Sequence, residues 1–303
     1  MSPTAATSLQ PITANAKPLA TATGAFPILF RQWGTPWQTD VGQLIRYTSD
    51  HGFSGIDATS LPVADIGRIR AAGLRIGTVD VPFGDWGGLV SPDAAKRDRC
   101  ADAVAAYVNA VVAATDVRNF FTVIMPEDAA RSRDENMAFA LAGFGRVGQL
   151  IAGSGARILF EGWPGSYPSY SSLGCTPADL RTIFRALGTG QFGVNFDPSH
   201  LVRMGVDPVR FLEEFAPQVH HVHAKDTEID GEALYEHGNL YDRHWRYTIP
   251  GHGVVRWSRL FQTLVKTGYA GCVSIELEDG VFMETRELQQ RGLAISRDFL
   301  THA

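Results

Sequence analysis

One pattern recurs along most of the chain: a short apolar run that ends in a polar or charged residue, followed by a longer amphipathic stretch. Such runs are typical of buried strands, and the amphipathic stretches are typical of helices that cover a sheet. Strands that alternate with helices predict βαβ units and a parallel sheet. The predicted strands are Phe26–Phe30, Gly55–Ala58, Leu74–Val79, Phe120–Met125, Arg157–Phe160, Phe192–Phe196, Val219–Val222 and Cys272–Ile275. The predicted helices include Val41–His51, Ala94–Thr115, Arg133–Ser154, Pro177–Leu187, Pro208–Phe215 and Trp257–Thr267.

Eight predicted strands favour a closed (β/α)8 TIM barrel, with a doubly wound open sheet as the alternative. The length of 303 residues suits one such barrel. Glycine stands between a predicted helix and the next strand at four junctions, where it serves as a helix C-terminal cap; these are His51–Gly55, Ala71–Gly77, Gly153–Phe160 and Thr267–Glu276. We therefore predict an α/β fold with one TIM barrel domain over residues 25–303. Residues 1–24 are predicted to be a flexible tail or a strap across the bottom of the barrel.

Charge and hydropathy narrow the choice of partner. The net charge of -5 and the pI near 6.0 argue against a nucleic-acid binder, which usually carries a basic surface. No apolar run reaches the roughly 18 residues that a membrane span needs. The expected partner is a small molecule.

The cysteines and the N-terminal segment indicate a compartment. Cys100, Cys175 and Cys272 are widely spaced and form no CxxC pattern, which fits buried thiols in a reducing environment. The first 24 residues lack the apolar core of a signal peptide. The sequence therefore predicts a cytoplasmic protein.

A glycine motif over residues 143–148 matches the GxGxxG pattern of dinucleotide-binding proteins. That pattern binds a dinucleotide only between a strand and a helix. Here it lies inside or late in a predicted helix, so a dinucleotide-binding site is disfavoured.

Four predicted strands in the second half of the chain end on candidate metal ligands, namely Glu161, Asp197, His223 and Glu276. The carboxyl ends of barrel strands converge on one face, where active sites of this fold lie. Three carboxylates gathered there would repel one another, and a divalent cation would remove that repulsion. Oxygen and nitrogen ligands without sulfur suit Mn²⁺, Mg²⁺, Co²⁺ or Zn²⁺. The sequence therefore predicts one bound divalent metal ion, with Mn²⁺ preferred.

Two of these ligands have alternatives. Asp197 precedes Pro-Ser and would also suit the N-cap of a helix. His221 shares a strand face with His223, because the two are two residues apart. His223 is nearer the strand end and is the predicted ligand, whereas His221 is expected to be a hydrogen-bonded core histidine.

Several motifs together resemble the xylose isomerase-like TIM barrel superfamily of sugar phosphate isomerases and epimerases. The motifs are FEGWPG, NFDPSH, HVHAKD, IPGHG and SIELED, and the resemblance runs from about Phe26 to the C-terminus. It implies the same metal set, Glu161, Asp197, His223 and Glu276. It also implies that His200, in the Asp-x-x-His pattern, contacts substrate near the metal. Homo-oligomers are common in that superfamily.

The resemblance also bears on the substrate. Its epimerases carry an arginine shortly after the metal histidine, and Lys225 would take that place here. Arg243 or Arg246, in the loop before the last strand, would suit a carboxylate or phosphate. Trp163, like Trp33, Trp37 and Trp86, follows a predicted strand and would suit a sugar ring. His200, Lys225, Arg246 and Trp163 are the predicted substrate-binding residues.

The predicted function is a metal-dependent isomerase or epimerase that acts on a sugar or sugar derivative through an enediolate. Glu161 and Glu276 are the predicted catalytic acid and base, on opposite sides of the substrate. The alternative is a lyase or dehydratase acting on a keto-sugar or 3-keto-glycoside, in which the same intermediate expels a leaving group. His237, His244 or His252 would then supply the acid.

Two other classes are disfavoured. An endonuclease acting on abasic DNA would need a basic surface and more metal ligands. A noncatalytic sugar-binding protein would be expected to have lost some of the ligands, whereas all four ligand positions are filled.

Overall fold

The computed structural model describes residues 18–82, 85, 87–167, 169–240, 242 and 244–303. Residues 1–17 of the predicted tail, together with Trp86 and Arg243, lie outside these described residues. The described part of that tail, residues 18–24, lies against the barrel domain. There the backbone N–H of Leu19 donates to the carbonyl of Gly52, and that of Thr23 donates to the carbonyl of Ala303.

Eight parallel strands close into a barrel, which confirms the predicted (β/α)8 fold. Around the barrel the order is β1-β10-β7-β6-β5-β4-β3-β2, so each strand lies beside its neighbour in the chain and the ring closes between β1 and β10. The barrel strands are β1 Ile28–Arg31, β2 Gly55–Ala58, β3 Arg75–Asp80, β4 Asn119–Thr122, β5 Arg157–Glu161, β6 Phe192–Phe196, β7 Val219–Ala224 and β10 Val273–Ile275. Two further strands, β8 Asp226–Ile229 and β9 Trp245–Thr248, form an antiparallel ribbon.

The helices are amphipathic and bury their apolar faces against the barrel. In α10 the buried residues Trp257, Leu260, Phe261 and Leu264 follow helical spacing, and the helix ends at Gly268 in the left-handed conformation. The helices are α1 Pro36–Thr39, α2 Val41–Asp50, α3 Val63–Ala71, α4 Ala94–Ala114, α5 Arg133–Leu150, α6 Pro177–Leu187, α7 Pro198–Arg203, α8 Pro208–Phe215, α9 Gly231–His237, α10 Trp257–Thr267 and α11 Arg286–Leu300.

The GxGxxG motif lies inside α5, as the sequence predicts. Its glycines allow close packing, because a Cβ at Gly143 would overlap the backbone of Leu89 and one at Gly148 would press on the ring of Phe192. No helix in the described part of the chain is both long and apolar enough to cross a bilayer.

The β8–β9 ribbon rises directly after β7 and is anchored by one buried carboxylate. Asp226 accepts hydrogen bonds from the backbone N–H groups of Gly251 and Val255, each at 3.0 Å, and from the indole N–H of Trp257 at 2.9 Å. The IPGHG segment, residues 249–253, is thereby folded against the base of the ribbon. The IPGHG motif thus has a structural role at the base of the ribbon.

Candidate active site

The four predicted ligands meet at the carboxyl end of the barrel. Glu161 is the last residue of β5, Asp197 follows β6, His223 lies in β7 and Glu276 follows β10. All four side chains are buried. Strands β6 and β7 lie between β5 and β10, so Asp197 and His223 are placed between the two glutamates.

Glu161 is surrounded by polar groups of neighbouring strands. The Asn195 amide donates to its Oε1 at 2.8 Å, and His223 Nδ1 lies 2.7 Å from the same oxygen. Burial and the charge of Glu276 raise the pKa of Glu161, but His223 and His200 outweigh them and bring it to about 2. The carboxylate is therefore ionised at neutral pH.

His223 is oriented from the opposite side of the barrel. Its Nε2 lies 3.2 Å from Oδ2 of Asp57, and His221 Nε2 lies 2.9 Å from the same oxygen. Burial raises the pKa of Asp57, but the two histidines outweigh that and hold it below its ordinary value. An ionised carboxylate only accepts hydrogen bonds, so the hydrogen of neutral His223 is on Nε2. This places His221 in the core with a hydrogen bond, as the sequence predicts.

The free nitrogen of His223 faces the cluster. Nδ1 is buried without a hydrogen-bond partner among the described residues, although it lies 2.7 Å from Glu161 Oε1 and 3.4 Å from Glu276 Oε2. A lone pair facing two carboxylates is repulsive unless a cation or a proton lies between them. Burial lowers the pKa of His223, but Glu276 and Glu161 outweigh that and raise it well above its ordinary value. A divalent ion would replace this proton, so the residues present fit a metal.

Asp197 has two roles. Its Oδ1 accepts a hydrogen bond from the Ser199 backbone at 2.8 Å and caps α7, while its buried Oδ2 has no hydrogen-bond partner among the described residues. That oxygen lies 3.2 Å from Nζ of Lys225 and 3.4 Å from Nε2 of His200. The N-cap reading and the ligand reading of Asp197 are thus compatible.

His200 is closer to the carboxylates than the sequence indicates. Ligand atoms of Glu161, Asp197, His200 and Glu276 all lie within 4.8 Å of one another, whereas those of His223 group with Asp57 and His221. The other nitrogen of His200, Nδ1, lies 2.7 Å from the Tyr247 hydroxyl on β9. His200 is therefore anchored at Nδ1 and presents Nε2 to the cluster.

Lys225 inserts a positive charge among these acids. Its Nζ lies 2.6 Å from Glu276 Oε2, 2.5 Å from Glu278 Oε2 and 3.2 Å from Asp197 Oδ2. Burial lowers the pKa of Lys225, but the surrounding carboxylates outweigh that and raise it well above its ordinary value. The ammonium thus neutralises part of the charge that a metal would otherwise meet.

The first half of the barrel contributes residues that the sequence analysis did not single out. Arg31 ends β1 and forms two 2.8 Å hydrogen bonds to Asp80, at the end of β3. Its Nε lies 3.2 Å from Glu276 Oε1, and its guanidinium lies over the ring of Phe121. Both Arg31 and Asp80 follow apolar runs, which is the pattern that predicted the candidate ligands of the second half.

A cavity of about 320 Å³ opens above the cluster. Three predicted substrate-binding residues, Trp163, His200 and Lys225, line it. The remaining lining residues are Arg31, Gln32, Trp33, Thr59, Asp80, Phe121, Val123, Glu161, Glu276 and Glu278. Its volume is near the lower end of the range for ligand pockets, roughly 300–1,000 Å³.

Arg246 is not brought to this cavity. It lies on the ribbon with half of its side chain exposed, 2.5 Å from Glu228 and 3.4 Å from Asp279. It projects from the outer side of β9 because neighbouring positions in a strand face opposite ways, and the next residue, Tyr247, faces His200. The three histidines proposed as lyase acids do not line the cavity either: His237 and His252 are exposed, and His244 is buried elsewhere.

Comparison with known proteins gives one family. A family model described as Xylose isomerase-like TIM barrel matches residues 45–299. The chain is 36% identical over 119 residues to an uncharacterized protein, YfiH, of Bacillus subtilis (strain 168), covering 36% of this chain and 38% of that protein. It is 24% identical over 140 residues to the inosose dehydratase of Bacillus thuringiensis (strain Al Hakam), covering 45% of each. These matches span less than half the length of either relative.

A solved structure matches over most of the chain. The apo form of the 3-keto-D-glucoside 4-epimerase from E. coli has a TM-score of 0.67 at 16% identity, covering 90% of this chain and 99% of that one. At this identity the similarity shows the fold alone. The TIM barrel is thus common to both.

Proposed function

We propose, from the premise that the chain belongs to the xylose isomerase-like TIM barrel family, that it is a divalent-metal-dependent isomerase or epimerase of a sugar or sugar derivative. The observation that carries this proposal is the pair of buried glutamates, Glu161 and Glu276, on nonadjacent strands with Asp197 and His223 between them. The resulting acidic cluster suits a cation that binds carbonyl and hydroxyl oxygens.

The proposed ligands are Glu161, Asp197, His223 and Glu276, with Mn²⁺ the preferred ion. When bound, the ion would supply Lewis-acid polarisation of a substrate carbonyl. His223 would offer Nδ1, because Asp57 holds its other nitrogen, and His200 would bind substrate through Nε2. These two roles are assigned from the ring nitrogens that already have partners, which are Nε2 of His223 beside Asp57 and Nδ1 of His200 beside Tyr247.

The two glutamates would move the proton. One removes it from the carbon beside the carbonyl to give an enediolate, and the other returns a proton to the opposite face or to the neighbouring carbon. In the metal-free protein the pKa of Glu161 is about 2, so its carboxylate is ionised at neutral pH and is in the form that can accept a proton. Lys225, within hydrogen-bond distance of Glu276, is placed to stabilise developing negative charge.

The test combines metal removal with charge-neutral variants. Chelated protein is expected to lose activity and to regain it with Mn²⁺. Glu161→Gln and Glu276→Gln are each expected to lower kcat by roughly 10²–10⁴-fold, the usual contribution of a general acid or base. Glu228→Gln is the control, because that glutamate pairs with Arg246 outside the cavity. Full activity in either active-site variant would refute the acid–base assignment.

A dehydratase is the second candidate, favoured by the similarity to inosose dehydratases over 45% of the chain. The same enediolate would then expel a leaving group rather than be reprotonated. His200 is the histidine placed to assist, since it lines the cavity. NMR of the products formed in D₂O separates the two: deuterium at a retained carbon indicates isomerase or epimerase, and loss of a substituent indicates dehydratase.

A further inference from the structure

His200 and Arg203 contact the same hydroxyl group, that of Tyr247. Both residues lie on α7, three positions apart, so their side chains share one face of that helix. The Tyr247 hydroxyl on β9 lies 2.7 Å from Nδ1 of His200 and 3.1 Å from Nη1 of Arg203. The ribbon is fixed against α7, because the Thr227 hydroxyl donates to the carbonyl of Ser199 at 2.9 Å. Arg203, Tyr247 and His200 therefore form one chain of hydrogen bonds.

Arg203 is a buried cation without a close carboxylate. Its side chain is 3% exposed, and among the described residues the one carboxylate oxygen within 4.0 Å is Oδ1 of Asp242, at 4.0 Å. Its other contacts are neutral: it donates to the carbonyl of Gly165 at 2.9 Å and lies 4.0 Å from the ring centroid of Trp245. Burial of a charge is costly unless such contacts compensate for it. They hold the guanidinium in one position, with Nη1 toward Tyr247.

The direction of the chain follows from the guanidinium, which can only donate hydrogen bonds. Nη1 of Arg203 donates to the Tyr247 oxygen, so the hydroxyl hydrogen is left for another acceptor. Among the described residues, the acceptor found within hydrogen-bond distance is Nδ1 of His200. Burial raises the pKa of Tyr247 above its ordinary value, although Lys225 and Arg203 lower it, so the hydroxyl keeps its hydrogen at neutral pH. A neutral His200 that accepts at Nδ1 has its own hydrogen on Nε2.

The surroundings of His200 Nε2 agree with a hydrogen at that position. Oε2 of Glu161 and Oδ2 of Asp197 each lie 3.4 Å away, and both are acceptors. The ammonium of Lys225 is also close, with Nζ 3.3 Å from Nε2. It has three hydrogens and three carboxylates within 3.2 Å, so none of its hydrogens is needed for the histidine.

We propose that Arg203 and Tyr247 are positioning residues that hold neutral His200 with its hydrogen on Nε2. A ring nitrogen that carries a hydrogen has no lone pair for a metal ion, so His200 donates a hydrogen bond to a substrate oxygen and does not ligate the metal. His200 and His223 thus carry hydrogen on the same ring nitrogen but turn opposite edges toward the carboxylates. The donor role rests on the proposed function, whereas the position of the hydrogen does not.

The test observes the tautomer directly by NMR at neutral pH. Protein labelled with ¹⁵N-histidine is compared without metal and with Mg²⁺, which is diamagnetic, by two-bond ¹H–¹⁵N correlation. His200 is assigned among the nine histidines by the signals that His200→Gln removes. Hydrogen on Nε2 and none on Nδ1 is the expected pattern in both samples.

Two variants interrupt the chain at different points. Tyr247→Phe removes the hydroxyl, whereas Arg203→Met removes the donor and leaves the Tyr247 oxygen free to accept from Nδ1. In each variant the ratio of the two His200 tautomers is expected to move roughly 2–10-fold toward hydrogen on Nδ1, the effect of one hydrogen bond. Tyr170→Phe is the control: its ring lies 5.1 Å from the Arg203 guanidinium, and it is expected to leave the ratio unchanged.

Several results would overturn the proposal. Hydrogen on Nδ1 or on both nitrogens of the unmodified protein would contradict the direction of the chain. A ratio that either variant leaves unchanged, or that Tyr170→Phe changes equally, would remove the positioning role. Loss of the Nε2 hydrogen on addition of Mg²⁺ would show that His200 is a metal ligand.

Turnover is measured separately on the Mn²⁺-loaded protein with D-tagatose, D-fructose 6-phosphate and an inosose. For the compound that is converted, kcat/KM is expected to fall roughly 2–10-fold in Tyr247→Phe and Arg203→Met. An unchanged kcat/KM in variants whose tautomer has shifted would refute the donor role. The expected tautomer without conversion of any compound would count against the proposed function and leave the positioning roles standing.

Discussion

Among single residues, Asp57 positions a predicted ligand of the site although it does not line the cavity. It is fully buried in β2, and its Oδ2 lies within 3.2 Å of both His221 and His223. Its Oδ1 accepts the backbone N–H of Thr78. Gly77 makes room for this group, since a Cβ there would overlap Asp57 and His221. Asp57 thus fixes which nitrogen of His223 is available.

Asp57→Asn tests this role. The amide can turn an N–H toward the histidines, which removes the preference for hydrogen on Nε2 of His223. We expect Mn²⁺ affinity to fall by roughly 10–100-fold, the usual cost of losing such a partner. The dissociation constant, measured by competition with a chelator on folded protein, checks it.

His221→Asn is the matched control. It disturbs the same buried cluster but leaves the contact between Asp57 and His223. Thermal stability is expected to fall in both variants, while only Asp57→Asn weakens metal binding. Equal metal affinities in the two variants would show that Asp57 acts on stability alone.

The sequence predicts the four candidate ligands at the strand ends, but it does not predict the residues that hold them in position. Glu161, Asp197 and Glu276 directly end apolar runs, and that signal is local. The contact between Asp57 and His223 joins β2 and β7, which are not neighbours, so it depends on how the closed barrel sets the strands in register. Arg31 and Asp80 had the local signal, and the pattern applied to all eight strands would have found them.

At the scale of elements, the β8–β9 ribbon contacts the candidate site on one side and is fixed to the barrel at its base. It presents Tyr247 to His200, and it is anchored at its base by Asp226. Gly253 lies against that anchor, where a Cβ would overlap both the Asp226 carboxylate and the backbone of Thr227. A glycine is therefore required at position 253, because the neighbouring atoms leave no room for a Cβ.

Gly253→Ala is expected to lower the free energy of unfolding by about 1–3 kcal/mol, because the added methyl group must displace backbone. Urea unfolding measures the change. Gly231→Ala is the control: it lies in the same connection, and a Cβ there meets nothing within 4 Å. We expect the control to be neutral or slightly stabilising. Equal stability of the two variants would contradict the contact argument.

Elements with a strong apolar pattern were predicted closely. Pro177–Leu187, Pro208–Phe215 and Trp257–Thr267 begin and end as the sequence indicates. The ribbon was not predicted, because DTEI and WRYT lack an apolar run and are joined by a long connection rather than a tight turn. Its strands are defined by pairing with each other, which short-range patterns do not show.

At the scale of the whole molecule, buried charge makes stability depend on pH. In the metal-free protein, Asp57, Glu161 and Glu276 have pKa values below their ordinary values. Burial raises the pKa values of Asp80 and Asp197, and these two groups offset part of the effect of the other three. When folding lowers the pKa of a carboxylate, that carboxylate stabilises the folded state at pH values above its pKa in the unfolded chain. This stabilisation is lost as the pH falls toward its pKa in the folded protein. His223 and Lys225, whose pKa values are raised, act in the opposite direction. The stability that they contribute is lost only as the pH rises through those pKa values.

We therefore expect the melting temperature of chelated protein to fall continuously from about pH 5 to about pH 3, since unfolded carboxyls titrate near pH 4. Circular dichroism melts at constant ionic strength measure this. Asp57→Asn is expected to show a shallower decline, because one of the groups with a lowered pKa is removed. A melting temperature that stays constant over this interval would contradict the assignment of ionised, stabilised carboxylates.

The pairing of Asp57 with His221 has a consequence for the time at which the site forms. The two residues are 164 positions apart, so the contact requires strands from both halves of the chain to be in place. Contacts of such long sequence separation form late, because the intervening loop must be closed first. The proposed metal ligands all lie on neighbouring strands of the second half of the chain. A metal ion added during refolding is therefore expected to bind weakly before Asp57 reaches the histidines, and to gain its full affinity only when the barrel closes.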